Sequence, residues 1–262
     1  MTQALRVPVS IEINGLSKSF GAARALDTLT VTIAGGTLTG LVGPNGAGKT
    51  TLMRILAGLL VPDGERRPDS GAGARADGPR AVTFLRNGVP LASGALRGKT
   101  AYFPQEQSLY PDLSCLEHME FFRDLYSVPK AEYERRAREL FRLTRLEPFK
   151  NRKAGKLSGG MYKKLGLMCV LLHAPDILLL DEPTIGVDPV SRRELWELMY
   201  RFVGGNMTIV MSTSYMDEAE RCDRVLLLDR GRMLRFGEPD QLLAQAGANG
   251  FESFFEPAGG AV

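Results

Sequence analysis

GPNGAGKTT, residues 43–51, decides how the rest of the 262-residue chain is read. The stretch fits G-x-x-x-x-G-K-[ST], with Gly43, Gly48, Lys49 and Thr50 at the fixed positions. Its flanks extend the argument. LTGLVG (38–43) is a short apolar run suited to a buried strand, and TLMRILAGLL (51–60) has helical spacing. Strand, glycine-rich turn and helix in that order make a cradle for phosphate groups. Glycine lets backbone N–H groups curl around an anion, and the helix N-terminus adds partial positive charge. In such a loop Lys49 reaches the β- and γ-phosphates and the Thr50 hydroxyl binds Mg²⁺.

A phosphate loop needs a carboxylate on a neighbouring strand, and ILLLDEP (177–183) supplies one. Its four consecutive apolar residues suit a strand buried on both faces. Asp181 at its end is placed to hold Mg²⁺ through water, and Glu182 to orient or activate an attacking water. Further out, VSIEIN (9–14) and TLTVTI (28–33) alternate as half-buried strands do, and Phe20 falls in a turn-rich stretch between them. AVTFLRNGVPLA (81–92) is expected to be a hairpin around Asn87-Gly88, and TAYFPQ (100–105) a strand ending in Gln105. MTIVMS (207–212) is a further strand, and Arg230-Gly231 joins a last hairpin.

The spacing predicts one α/β domain over residues 1–262, with a helical subdomain inserted at 106–156. There CLEHMEFFRDLY (115–126) and KAEYERRARELFRLTRL (130–146) are amphipathic, with Pro129 between them. Residues 61–80, rich in Gly, Pro, Arg and Asp, are expected to form an exposed loop. MDEAERC (216–222) is expected to be a short helix, and the Gly/Ala-rich tail over 247–262 to be flexible.

The net charge of +3 is too small to argue for nucleic acid as a partner, and residues 61–100 alone carry an excess of that size. No apolar run reaches the roughly 18 residues needed to span a bilayer. MTQALRVPVS lacks the build of a signal peptide, so a cytoplasmic chain is expected, with any membrane spans supplied by a partner. Cys115, Cys169 and Cys222 lie far apart without a C-x-x-C, as reduced structural thiols do. His118 and His173 are not paired at metal-ligand spacing, which argues against a zinc-type site.

The order of these motifs resembles the ATP-binding cassette (ABC) transporter ATPases over roughly residues 9–240, and the specific item is LSGGM (157–161), about a hundred residues after the phosphate loop. LSGGM followed by DEPTIGVDP is most similar to drug and polysaccharide exporters of the ABC-2 type, in particular the first ATPase half of tandem exporters. The resemblance implies a P-loop NTPase core with a mostly parallel sheet, an N-terminal antiparallel β subdomain and an inserted helical subdomain. It implies ATP and Mg²⁺ as ligands, bound by Gly43, Asn45, Gly46, Gly48, Lys49, Thr50 and Thr51, with Phe20 stacking on the adenine. Gln105 then senses the γ-phosphate and shares Mg²⁺ with Thr50 and Asp181, and Glu182 is catalytic. Ser158, Gly159 and Gly160 form the signature, and Asp188 belongs to the loop at a dimer interface.

In that family two ATPase domains sandwich two ATPs, so the implied partners are a second ATPase domain, in the same or a different chain, and integral-membrane permease subunits. The implied location is the inner face of the cell membrane. One position departs from the pattern: the family's switch histidine follows the strand at 207–212, and here Ser214 stands in its place. A serine is neutral and short, so the departure implies slow hydrolysis, with ATP binding kept. The alternative is a clamp that hydrolyses little and supports an active partner domain.

Overall fold

The computed structural model describes residues 7–65, 80–92, 94–96, 98–106, 109–247 and 250–255. From the N-terminus the chain forms β1 (Val9–Phe20), β2 (Ala23–Ile33), β3 (Leu38–Val42) and α1 (Lys49–Leu56). A hairpin of β4 (Val82–Arg86) and β5 (Val89–Pro90) precedes β6 (Thr100–Phe103). Three helices follow, α2 (Cys115–Leu125), α3 (Lys130–Thr144) and α4 (Gly159–Leu171), and lead to β7 (Ile177–Asp181). The chain goes on through α5 (Pro189–Val203), β8 (Thr208–Thr213), β9 (Arg224–Asp229), β10 (Arg232–Gly237) and α6 (Pro239–Ala246).

The strands make two sheets. An antiparallel one has the order β2-β1-β4-β5, and the second has the order β10-β9-β3-β8-β7-β6. In the second sheet all neighbours are parallel except β10, which pairs antiparallel with β9. Side chains alternate across a strand, and β7 shows what this does in a sheet covered on both faces. Ile177 and Leu179 pack into a core shared with β1, β2 and α1, whereas Leu178 and Leu180 pack into a second core with α2, α3, α4 and α5. Every residue of β7 is buried, which is why its sequence reads as an unbroken apolar run. The result is the α/β P-loop NTPase architecture, with its antiparallel sheet on the α1 side and its inserted helices on the other.

Local signals account for several boundaries. Asn87 and Gly88 both have positive φ, 54° and 73°, as a tight two-residue hairpin turn requires. Ser114 and Glu117 cap α2 reciprocally. Lys164 of α4 forms an ion pair with Glu194 of α5, which also pairs with Arg145 after α3, and this ties the inserted helices to the core.

Some expectations change. β1 runs on to Phe20 and β2 starts at Ala23, so the segment between 14 and 28 is strand apart from a turn at residues 21 and 22; bulges beside Gly15 break the alternation that would have marked it. α1 stops at Leu56 because Gly58, at φ 72°, turns the chain out of the helix. Residues 61–65 of the expected loop are a turn tied to the core, with Asp63 N–H donating to Ser17 O and Glu65 accepting from Ala81 N–H, and residues 66–79 lie outside the described residues. The tail is not free throughout, since Phe251–Phe254 forms a 3₁₀ turn and Phe251 is 1% exposed within the helical-side core. Burying that ring contributes about 1.5–3 kcal/mol toward holding the turn in place.

Candidate functional site

Sheet register assembles the site. β3 and β8 run parallel with Val42 opposite Thr213, and β7 and β8 run parallel with Asp181 opposite Ser212. The chain therefore leaves three adjacent strand ends together, as Gly43, Glu182 and Ser214. Crevices at the carboxyl ends of parallel strands are where open α/β sheets bind ligands.

Two positions in the loop admit only glycine. A Cβ on Gly43 would lie 2.1 Å from the Leu228 carbonyl oxygen, and one on Gly48 would lie 2.4 Å from that of Ala25. Gly48, at φ 106°, is the N-cap of α1 and supplies no side-chain cap. Gly46 sits on the open side of the loop, and Thr51 follows Thr50 in the first turn of α1.

Lys49 is buried and holds the cluster together. Its Nζ donates to the carbonyls of Gly43 and Pro44 at 2.7 and 3.1 Å and to Ser214 Oγ at 2.9 Å, and lies 3.2 Å from Glu182 Oε1. The Ser214 hydroxyl donates to Glu182 at 2.7 Å, its N–H donates to the same carboxylate at 3.1 Å, and its oxygen lies 3.2 Å from Asn45 Oδ1. The β3–β8 register sets Ser214 beside Gly43 and within reach of Lys49. Glu182 has φ 49°, a left-handed conformation that costs about 1–3 kcal/mol in a non-glycine residue. Its N–H donates to Ser212 Oγ at 3.0 Å and to Ser212 O at 3.2 Å, which holds that turn.

Asp181 is fully buried and accepts three hydrogen bonds, from Ser212 Oγ at 2.6 Å, Thr50 Oγ1 at 3.2 Å and Tyr102 OH at 3.0 Å. A buried carboxylate needs such donors. Burial and the Asp181 charge push the Tyr102 hydroxyl up to about 12, so it stays protonated and donating.

The other expected residues fall in three further places. Ser158 caps α4 by accepting from Met161 N–H at 3.3 Å. Asp188 caps α5, accepting from Val190 and Ser191 N–H at 3.1 and 2.9 Å, and these amides hold its carboxyl below the usual range. A Cβ on Gly160 would lie 2.3 Å from Ser191 Oγ, and one on Gly159 would lie 3.7 Å from Gly186 O, so the signature packs on the loop that carries Asp188. Among the described residues no hydrogen bond joins this cluster to residues 43–51. Phe20 ends β1 half exposed, with the Lys18 ammonium 5.6 Å from its ring centroid. Gln105 is exposed, and its carbonyl accepts from Lys163 Nζ at 3.0 Å.

Sequence reasoning gave no role to Lys163 or Tyr102. The Lys163 ammonium lies 5.6 Å from the Phe103 ring centroid; burial lowers its pKa, with the carboxylates of Glu182 and Asp181 pulling the other way. A second cationic side chain therefore faces the site from α4. The lysine pair after LSGGM was the available signal, but helical spacing alone does not say which lysine turns toward β6.

These groups fit a nucleotide with Mg²⁺. A helix N-terminus without a side-chain cap, opening from a glycine-lined loop beside a buried lysine, matches a chain of phosphates. A hydroxyl and a carboxylate side by side match Mg²⁺, which takes one or two protein oxygens and completes its shell with water and phosphate.

Fold and site together define a phosphate-loop nucleotide-binding domain. A sequence model of the ABC transporter family matches residues 26–185, and the chain belongs to that family. The chain is 47% identical over 234 residues, 88% of its length, to the probable multidrug ABC transporter ATP-binding protein YbhF of Escherichia coli K12, and spans 38% of that protein. It is 34% identical over 251 residues, 95% of its length, to the daunorubicin resistance ATP-binding protein DrrA3 of Streptomyces coeruleorubidus, and covers 75% of it. Among solved structures, an ATP-binding subunit of an ABC transporter matches with a TM-score of 0.76 and 30% identity, over 94% of this chain and 97% of that one.

Proposed function

We propose that this chain binds MgATP at residues 43–51 and hydrolyses it at Glu182, as one of two ATPase domains that drive an integral-membrane permease in export. The observation that carries this reading is the joining of Lys49, Glu182 and Ser214 beside the Thr50–Asp181 pair. Lys49 pairs with the terminal phosphates, Thr50 and Asp181 hold the metal, and Glu182 accepts the proton of the attacking water. Mg²⁺, when bound, neutralises charge that develops on the phosphate oxygens. Ser158 and its helix N-terminus, set apart from the loop, serve the ATP of a second domain, so each chain carries two half-sites. The names of the relatives, one for multidrug and one for daunorubicin resistance, favour export as the direction. A peripheral place on the inner face of the cell membrane follows from that partnership.

A second reading, a clamp that hydrolyses slowly, rests on Ser214. Its hydroxyl carries one proton and engages Glu182 with it, so it offers no cationic donor to a transferring phosphoryl group. Glu182→Gln tests the dimer in both readings. It removes the proton acceptor and keeps the shape, so saturating MgATP should shift the variant from monomer to dimer in sedimentation, and Ser158→Arg should prevent that shift. A variant that stays monomeric at saturating MgATP contradicts pairing of this domain with a second copy of itself.

A further inference from the structure

Glu218 is a fully buried carboxylate in the 3₁₀ turn Met216–Arg221, and the chemistry above leaves it unused. Four donors from three separate segments meet it, divided between its two oxygens. Oε2 accepts from Thr213 Oγ1 at 2.6 Å and from Thr184 Oγ1 at 3.1 Å. Oε1 accepts from Arg192 Nε at 2.8 Å and from Trp196 Nε1 at 3.4 Å, both on α5. Thr213 immediately precedes Ser214, and Thr184 stands two residues after Glu182. One oxygen therefore pins the two segments that carry Ser214 and Glu182, and the other anchors that junction to the helix capped by Asp188.

We propose that Glu218 is a positioning residue for ATP hydrolysis, fixing Glu182 against Ser214 and tying both to α5. The inference rests on the reading of the chain as an ATPase. Glu182 sits in a strained left-handed turn, and a strained residue persists only where its surroundings over-determine it. Ser212 holds that turn on its upstream side, and Thr184, tied to Glu218, holds the chain on the downstream side. Arg192 is held in turn by Asp217 at 2.9 Å and lies over the Tyr215 ring, so the α5 anchor does not depend on Glu218 alone.

The chemistry of an amide makes this testable. Arg192 and Trp196 only donate, so the oxygen of a glutamine at 218 must face them and its NH₂ must face the threonines. Both threonine hydroxyls, which donate to Glu218 in the wild type, then lose the acceptor for their proton, so their side of the junction loosens while the α5 side keeps its acceptor. Trp196 is the single tryptophan of the chain and reports on the junction by its fluorescence.

The experiment compares wild type, Glu218→Gln and Thr213→Val in MgATP affinity, single-turnover phosphate release, Trp196 emission on adding MgATP, and thermal melting. Both variants should lose about ten- to a hundredfold in turnover, the scale of a misplaced reacting group, with affinity within about threefold of wild type. They should also show a smaller MgATP-induced change in Trp196 emission. If Glu218→Gln does not fold, Thr213→Val decides alone. Wild-type turnover and emission response in the folded variants overturn the proposal, as does a fall in turnover matched by an equal fall in affinity. A wild type that binds MgATP without turnover sinks the hydrolysis reading instead, and a weaker emission response in the variants would then still support the tie between site and α5.

Discussion

Replacing Ser214 by histidine restores a donor where the phosphoryl group reacts, and the structure sets the size of the effect. The Ser214 oxygen lies 2.9 Å from Lys49 Nζ and 2.7 Å from Glu182 Oε1, so a ring at this position starts within the cluster. A preorganised donor to a developing oxyanion is worth about 2.7–4 kcal/mol at full strength. Two features of the site reduce that figure. Lys49 already supplies positive charge at the same place, and the exchange gives up a hydroxyl bond to the Glu182 carboxylate, a charged acceptor, at a loss of about 1.5 kcal/mol. The net gain is then about 1.2–2.5 kcal/mol of barrier, or about ten- to seventyfold in turnover. The assay is steady-state phosphate release at saturating MgATP, with Ser214→Ala as the control for loss of the hydroxyl alone. Wild-type turnover of several per second, unchanged by Ser214→His, would show that another group does the histidine's work; Lys163 is the first to examine.

Two further outcomes follow from packing and from burial. Gly160→Ala places a Cβ 2.4 Å from Ser191 Cβ at the α4–α5 contact, an overpacking that should cost about 1–3 kcal/mol in denaturant unfolding, and a change under about 0.5 kcal/mol would refute the tight contact. His173 packs on Tyr126 with both ring nitrogens buried and unpartnered among the described residues, and burial together with Arg136 and Lys99 lowers its pKa from 6.5 to about 4. Between those values the unfolded chain holds a proton that the folded chain refuses, so stability falls as pH drops through that window. His173→Phe should flatten the pH dependence of the melting temperature there, and an unchanged slope would place the acid sensitivity elsewhere.

What the sequence made legible was local. The phosphate loop and β7 announce themselves because their residues are consecutive and their apolar runs are unbroken, the mark of strands covered on both faces. Asn87-Gly88 is an equally local signal. Glu218 was hidden for the opposite reason. MDEAERC reads as a short charged helix in which no carboxylate stands out, and its one buried carboxylate is selected only when β8, α5 and the chain after Glu182 converge on it. Tyr102 and Lys163 lie inside segments whose type was plain, yet their aim toward Asp181 and Gln105 depends on the register of β6 against β7 and on the rotation of α4. Phe251 looked like part of a loose tail because no periodicity surrounds it, and a core formed by distant elements buries it.

The central claim is that the loop at 43–51 binds the phosphates of MgATP through Lys49, and equilibrium titration of wild type against Lys49→Ala tests it most directly. Lys49 makes charge-assisted contacts from a buried position, and Glu182 keeps its two Ser214 donors when the lysine is removed, so the fold should survive the change. Wild type should bind MgATP saturably, and Lys49→Ala should weaken that binding at least about tenfold, or about 1.4 kcal/mol. Equal affinity in the two proteins, or a wild type that does not bind MgATP, would contradict the account.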